Sequence, residues 1–99
     1  MPKTILVGQL EKRAPSGPVR KWKKRCFCLK DDLILRYFEG ETLKGTIDLR
    51  DILTCEGETN SPNFQIVTAK RIFELRAKNA EDKDYWITGI NKLLNTSKE

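Results

Sequence analysis

The residues Trp22-Lys23-Lys24-Arg25-Cys26-Phe27-Cys28-Leu29 constrain this chain more than any other stretch, because they read as one β-strand whose two ends demand different surroundings. Side chains alternate across a strand, so Lys23, Arg25, Phe27 and Leu29 share one face while Trp22, Lys24, Cys26 and Cys28 share the other. The first of these faces begins cationic and ends apolar. A strand in the wall of a small barrel meets both demands, with Phe27 and Leu29 in the core and Lys23 and Arg25 at the mouth.

The preceding strand has the same design, since Leu6, Gly8, Leu10 and Lys12 alternate with the apolar residues first and the cation last. Joined about Ala14-Pro15-Ser16-Gly17-Pro18, the two strands form an antiparallel hairpin that brings Lys12, Lys23 and Arg25 to one face beside the turn. Three like charges repel one another unless an anion joins them. Two readings stay open at this point: a solvated basic turn with its lysines in water, and a phosphate pocket.

Charge is concentrated in that region. Residues 1–30 hold nine Lys or Arg against one acid, whereas residues 31–99 hold ten against thirteen, so the formal net charge of +5 is a local patch. Such a patch attracts anionic lipid, nucleic acid or acidic protein over a screening length of about 8–10 Å. At 99 residues the chain is expected to form a single domain, 1–99, around one modest core.

Three cysteines, Cys26, Cys28 and Cys55, lack the spacing of a disulfide framework and suit a reducing cytoplasm. Cys26 and Cys28 are expected to act as small hydrophobes under a covering segment. Without histidine or a second cysteine pair, no metal site is expected. The apolar run Ile5-Leu6-Val7 is too short for a membrane span, Pro2 excludes myristoylation there, and Thr96-Ser97-Lys98-Glu99 is no prenylation box, so membrane contact would be peripheral.

Read in order, the chain predicts strands at Thr4 to Arg13, Val19 or Arg20 to Lys30, Leu33 to Glu39, Lys44 to Leu49 and Ile52 to Cys55. After the polar loop Glu56 to Pro62, Asn63 to Thr68 and Arg71 to Arg76 alternate around an Ala69-Lys70 turn. The period then changes to that of a helix over about 80–94. Asn79 is its N-cap, Glu81 and Asp82 lie in the first turn, Lys92 near the end, and Trp86, Ile90, Leu93 and Leu94 form an apolar stripe. The fold class is therefore mainly β with one C-terminal α-helix: seven antiparallel strands over about 4–76, in a bent barrel or two orthogonal sheets, stopped at one end by Trp86.

The residues do not assemble an enzyme. Histidine is absent, the cysteines have no activating partner, and the carboxylates fall in turns or at the helix start. Gly40 and Gly45 have the spacing of a P-loop pair, but Thr46-Ile47 and a strand follow where Lys-Ser or Lys-Thr and a helix are required.

The order of Gly8-Gln9-Leu10-Glu11-Lys12, the Trp22 to Leu29 strand, Leu35-Arg36-Tyr37-Phe38, Gly45-Thr46-Ile47-Asp48-Leu49 and a helical Trp86 resembles a pleckstrin homology domain over nearly the whole chain. The resemblance implies phosphoinositide headgroups at the open end, held by a basic pattern that Lys12 and Lys23-Lys24-Arg25-Cys26-Phe27 fill. Tyr37 late in the third strand and Lys44 opening the fourth match members selective for 3-phosphorylated lipids. Two features depart from that pattern: the loop tip Ala14 to Pro18 carries no cation, and Cys26 stands where many members have Trp. No cofactor is implied.

The resemblance thus implies a cytoplasmic, monomeric, non-enzymatic module recruited peripherally to anionic membrane, with the plasma membrane as the expected one. Lys12, Lys23, Arg25, Tyr37 and Lys44 would hold the headgroup, and Arg13, Arg20, Lys21 and Lys24 would add unspecific attraction. A protein-interaction scaffold of the same fold is the alternative. Nucleic acid is not expected, because only Trp22 could interleave with the cations as a base platform.

Overall fold

The computed structural model describes residues 2–14 and 21–97, and in them the sequence builds seven strands and a helix. The strands are β1 (Thr4–Arg13), β2 (Trp22–Lys30), β3 (Ile34–Glu39), β4 (Thr42–Asp48), β5 (Ile52–Gly57), β6 (Asn63–Thr68) and β7 (Ile72–Arg76). A 3-10 turn, Leu49–Asp51, separates β4 from β5, and α1 (Ala80–Ser97) ends the chain. All pairings are antiparallel, in one sheet ordered β4-β3-β2-β1-β7-β6-β5.

β1 is the corner of this sheet. It pairs with β2 along its length but with β7 only through Glu11↔Arg76 and Lys12↔Leu75, so the two halves of the sheet meet at its mouth end. Their inner faces share one core. Leu6 and Leu10 of β1, Phe27 and Leu29 of β2, Leu35 of β3, Ile66 of β6 and Leu75 of β7 are all buried there, as the period-two pattern requires.

The helix closes that core. Asn79 caps it, its Oδ1 accepting from the Asp82 N–H at 2.8 Å. Trp86, Ile90 and Leu94 lie four residues apart and are buried, with Leu93 and Ile87 packed at the margin. Trp86 meets Phe27 edge to face at 6.4 Å and lies over Gly8, where an added Cβ would be 3.4 Å from its Cζ2. One cation shares the buried side of α1: Lys83 is 2% exposed, its Nζ donating to the Glu58 carbonyl and pairing with Asp84 at 3.1 Å. It ties the β5–β6 loop to the helix.

Several sequence expectations need correction. Leu33 does not open β3; it takes a left-handed φ of 68° in the preceding turn, where its N–H donates to the Lys30 carbonyl at 3.1 Å. β4 begins earlier, at Thr42, and Leu49 leaves the strand for the 3-10 turn, although it is buried as expected. β5 continues past Cys55 to Gly57, β7 begins at Ile72 rather than Arg71, and α1 runs on to Ser97. Lys92 consequently lies outside the last turn of α1, which contains no basic residue. Among the described residues Cys26 is exposed and Cys28 half-buried on the outer face, and of the three cysteines Cys55 alone is buried. Burial pushes the Cys55 thiol up to about 12. Val19 and Arg20 lie outside the described residues.

Candidate functional site: a basic mouth beside the first hairpin

The register of the first hairpin places Lys12 directly opposite Lys23, and Arg25 opposite Leu10 one step deeper. Lys12, Ala14, Lys23 and Arg25 line a cavity of about 140 Å³ at the mouth. Two larger cavities, about 420 and 450 Å³, mix acids with bases: Arg13 with Glu56, Glu58 and Glu74 in one, Arg50 and Arg71 with Asp48 and Asp51 in the other. Charge, more than volume, distinguishes the small cavity, whose titratable lining is wholly cationic.

Lys12 lies against two aromatic rings. Its Nζ stands 5.2 Å from the Tyr37 ring centroid and 5.9 Å from that of Phe73. Burial holds its pKa below the ordinary lysine value, and the charges of Arg71, Arg25 and Lys23 push the same way. Anion binding would oppose every one of these charge effects.

Arg25 is better packed than a cation at an open mouth suggests, with its side chain 11% exposed. Its Nη1 donates to the Lys24 carbonyl at 2.9 Å and to Glu39 Oε2 at 3.1 Å. Tyr37 is buried, stacks on Phe27 at 5.3 Å, and carries its hydroxyl over Gly45. A Cβ at Gly45 would fall 2.3 Å from that oxygen, so glycine opposite Tyr37 permits the ring to lie there. Lys44 is the extra residue where the β3–β4 register shifts, since Tyr37 faces Gly45 but Phe38 faces Leu43. Its Nζ lies 4.0 Å from Glu39 Oε1.

The sequence reading left two residues of this region without a role. Glu39 reaches both Arg25 and Lys44. Its signal was available, because residues 35, 37 and 39 have one strand parity. Arg71 lies over the Phe73 ring at 4.0 Å, and its Nε is buried without a hydrogen-bond partner. Thr68 shapes the turn that carries it, its Oγ1 accepting from the Arg71 N–H at 3.1 Å and donating to the Arg71 carbonyl at 2.9 Å. The signal for Arg71 was also available, since it shares strand parity with Phe73 and Leu75 although it stands one residue before β7.

The residues assigned to diffuse attraction are placed differently. Lys24 is exposed on the outer face opposite Glu11, and Lys21 is exposed just before β2. Arg13 pairs with Glu74 at 3.4 Å, and Arg20 lies outside the described residues. Trp22 is half-buried, with Arg76 4.4 Å and Arg13 5.9 Å from its ring centroid, so cations already flank it. Among the described residues no helix is long and apolar enough to cross a membrane.

Seven antiparallel strands around one core, plugged by a C-terminal helix with a basic mouth at the opposite hairpin, define a PH-type module. The chain belongs to the PH domain family, whose family model matches residues 5–95. It is 37% identical over 94 residues to pleckstrin homology domain-containing family A member 2 of Mus musculus, covering 83% of this chain and 22% of that protein. A putative leucine-rich repeat-containing protein of Dictyostelium discoideum is 30% identical over 107 residues, covering 91% of this chain and 7% of that protein. The chain therefore spans a small part of the curated relatives it matches. Among solved structures, the C-terminal PH domain of pleckstrin in complex with D-myo-Ins(1,2,3,5,6)P5 superposes with a TM-score of 0.77 at 28% identity, covering 92% of this chain and 95% of that one.

Proposed function

We propose that this domain is a non-enzymatic, monomeric lipid-headgroup reader that recruits the protein carrying it from the cytoplasm to the plasma membrane. Its ligand is a 3-phosphorylated phosphoinositide: phosphatidylinositol 3,4,5-trisphosphate, or the 3,4-bisphosphate if the cation-free tip Ala14 to Pro18 leaves the 5-phosphate uncontacted. The observation that carries this reading is the cavity lined by Lys12, Lys23 and Arg25, in which burial and like charge already disfavour the charged form of Lys12. An inositol pentakisphosphate is bound by the pleckstrin domain of the same fold, which supports the same ligand class here.

In this reading Arg25 grips phosphate oxygens with its planar fork, and Lys12 and Lys23 act on the same anion as point charges. Lys44 takes a neighbouring phosphate. Tyr37 takes the same neighbouring phosphate as Lys44, and its ring flanks Lys12. Four to five charge-assisted contacts at about 1.5–3 kcal/mol each, less the cost of association, give affinities of order micromolar or better. Lys21, Lys24, Arg13 and Arg20 add attraction to anionic bilayer at about 1 kcal/mol per basic residue near the surface, which assists recruitment without choosing a headgroup.

Sedimentation with vesicles of matched surface charge tests the proposal. Vesicles carrying phosphatidylinositol 3,4,5-trisphosphate or the 3,4-bisphosphate should retain the domain at a salt concentration that releases it from phosphatidylserine vesicles. Equal release from all vesicles would favour the protein-scaffold alternative.

A further inference from the structure

Arg25 and Lys44 share an anion supplied by the chain itself. The Glu39 carboxylate lies between them, Oε2 at 3.1 Å from Arg25 Nη1 and Oε1 at 4.0 Å from Lys44 Nζ. The fold delivers it there for two reasons. Strand parity puts Glu39 on the face of Leu35 and Tyr37 at the mouth end of β3, and the register shift at Tyr37/Phe38 gives β4 the extra residue, Lys44, beside it.

We infer that Glu39 is a resident counter-anion that a phosphorylated ligand must displace, and that it thereby sets a lower limit on the ligand's charge. The inference rests on the anion-pocket reading. A ligand with one phosphate exchanges one anion for another at Arg25 and gains little. A headgroup with several phosphates also engages Lys12 and Lys23, which line the cavity beside Arg25. Displacing Glu39 costs every such ligand the same, and only a headgroup with several phosphates recovers that cost through Lys12 and Lys23.

Two observations mark Glu39 as a competitor of the ligand instead of a support for Arg25. Its side chain is 61% exposed, whereas that of Arg25 is 11% exposed, so the carboxylate can swing into water while the guanidinium stays. The Lys24 carbonyl also accepts from Arg25 Nη1 at 2.9 Å, which orients the guanidinium independently of Glu39. Removing the carboxylate should therefore free Arg25 without misplacing it. Exposed ion pairs are individually weak, so the effect on affinity is about 2- to 5-fold.

The test is calorimetric titration of the domain and its Glu39→Gln variant with the soluble inositol tetrakisphosphate headgroup and with an inositol monophosphate. Glu39→Gln should bind the tetrakisphosphate about 2- to 5-fold more tightly and raise the affinity for the monophosphate by a similar factor. The gain should vanish when Arg25→Ala is added, because no guanidinium remains to be released. A parent that binds while Glu39→Gln binds equally or more weakly, with an unchanged melting temperature, would overturn the inference alone and make Glu39 a support for Arg25. Failure of both proteins to bind either ligand would instead sink the pocket reading, and this inference with it.

Discussion

Removing the Trp86 ring should be the most damaging single change to this fold. The indole is 2% exposed, contacts Phe27 edge to face at 6.4 Å, and fills the space that Gly8 leaves open on β1. Truncation to alanine of a large buried aromatic costs about 3–5 kcal/mol, from lost transfer energy and the cavity left behind. Collapse of the helix into that cavity is hindered at Gly89, where even an added Cβ would stand 2.5 Å from Leu6 Cδ1. A domain of this size has about 5–15 kcal/mol of stability in all, and each kcal/mol is worth about 4–8 °C, so Trp86→Ala should melt about 12–40 °C below the parent. Thermal unfolding followed by circular dichroism measures this, with Trp86→Phe as a control that keeps a ring and loses less. A Trp86→Ala melting point within about 5 °C of the parent would refute the role of the indole as the barrel's stopper.

Lys24 is exposed on the face away from the cavity, so Lys24→Ala should weaken adhesion to phosphatidylserine vesicles by about 1 kcal/mol, an effect that salt masks, and leave headgroup affinity unchanged. Loss of tetrakisphosphate binding in that variant would show the strand parity to be misassigned. Stability should also fall in acid. The Arg76 guanidinium, donating to both Glu11 oxygens at 3.0 and 3.1 Å, holds the Glu11 carboxyl below its ordinary 4.5. A carboxylate lowered on folding stabilises at pH above its unfolded value and loses that contribution as pH falls through its folded value. Urea midpoints measured from neutral pH down through 4.5 should therefore drop, and Glu11→Gln should drop less; identical acid limbs for the two proteins would contradict this.

The strand pattern was legible because the physics behind it is local. Leu6 and Leu10, Phe27 and Leu29, Leu35 and Tyr37, and Phe73 and Leu75 recur on one face at period two and are buried. The helix was legible through Asn79 and the four-residue spacing of Trp86, Ile90 and Leu94. Boundaries were read less well where tertiary hydrogen bonds override the pattern. The Leu49 N–H donates to the Leu33 carbonyl at 2.8 Å, joining the two residues that were misplaced at the ends of adjacent strands. Cys26 misled because small apolar character predicts burial, whereas on the outer face of β2 it is exposed. At the mouth, parity brought out Lys12, Lys23 and Arg25. The pairing of Glu39 depends on where the register shifts, and Lys83 on a loop carbonyl twenty-five residues away, neither of which periodicity records.

Calorimetric titration with the soluble inositol tetrakisphosphate headgroup tests most directly the proposal that Arg25 is the group that selects phosphate. The parent domain should bind in the micromolar range or better, and Arg25→Ala about 10- to 150-fold more weakly. Because the Arg25 stem is packed, Arg25→Lys belongs in the same experiment: it keeps the charge and most of the stem but loses the fork, and should fall between the two. No heat from the parent, or equal affinity in parent, Arg25→Lys and a folded Arg25→Ala, would contradict the claim that this mouth reads phosphoinositide headgroups.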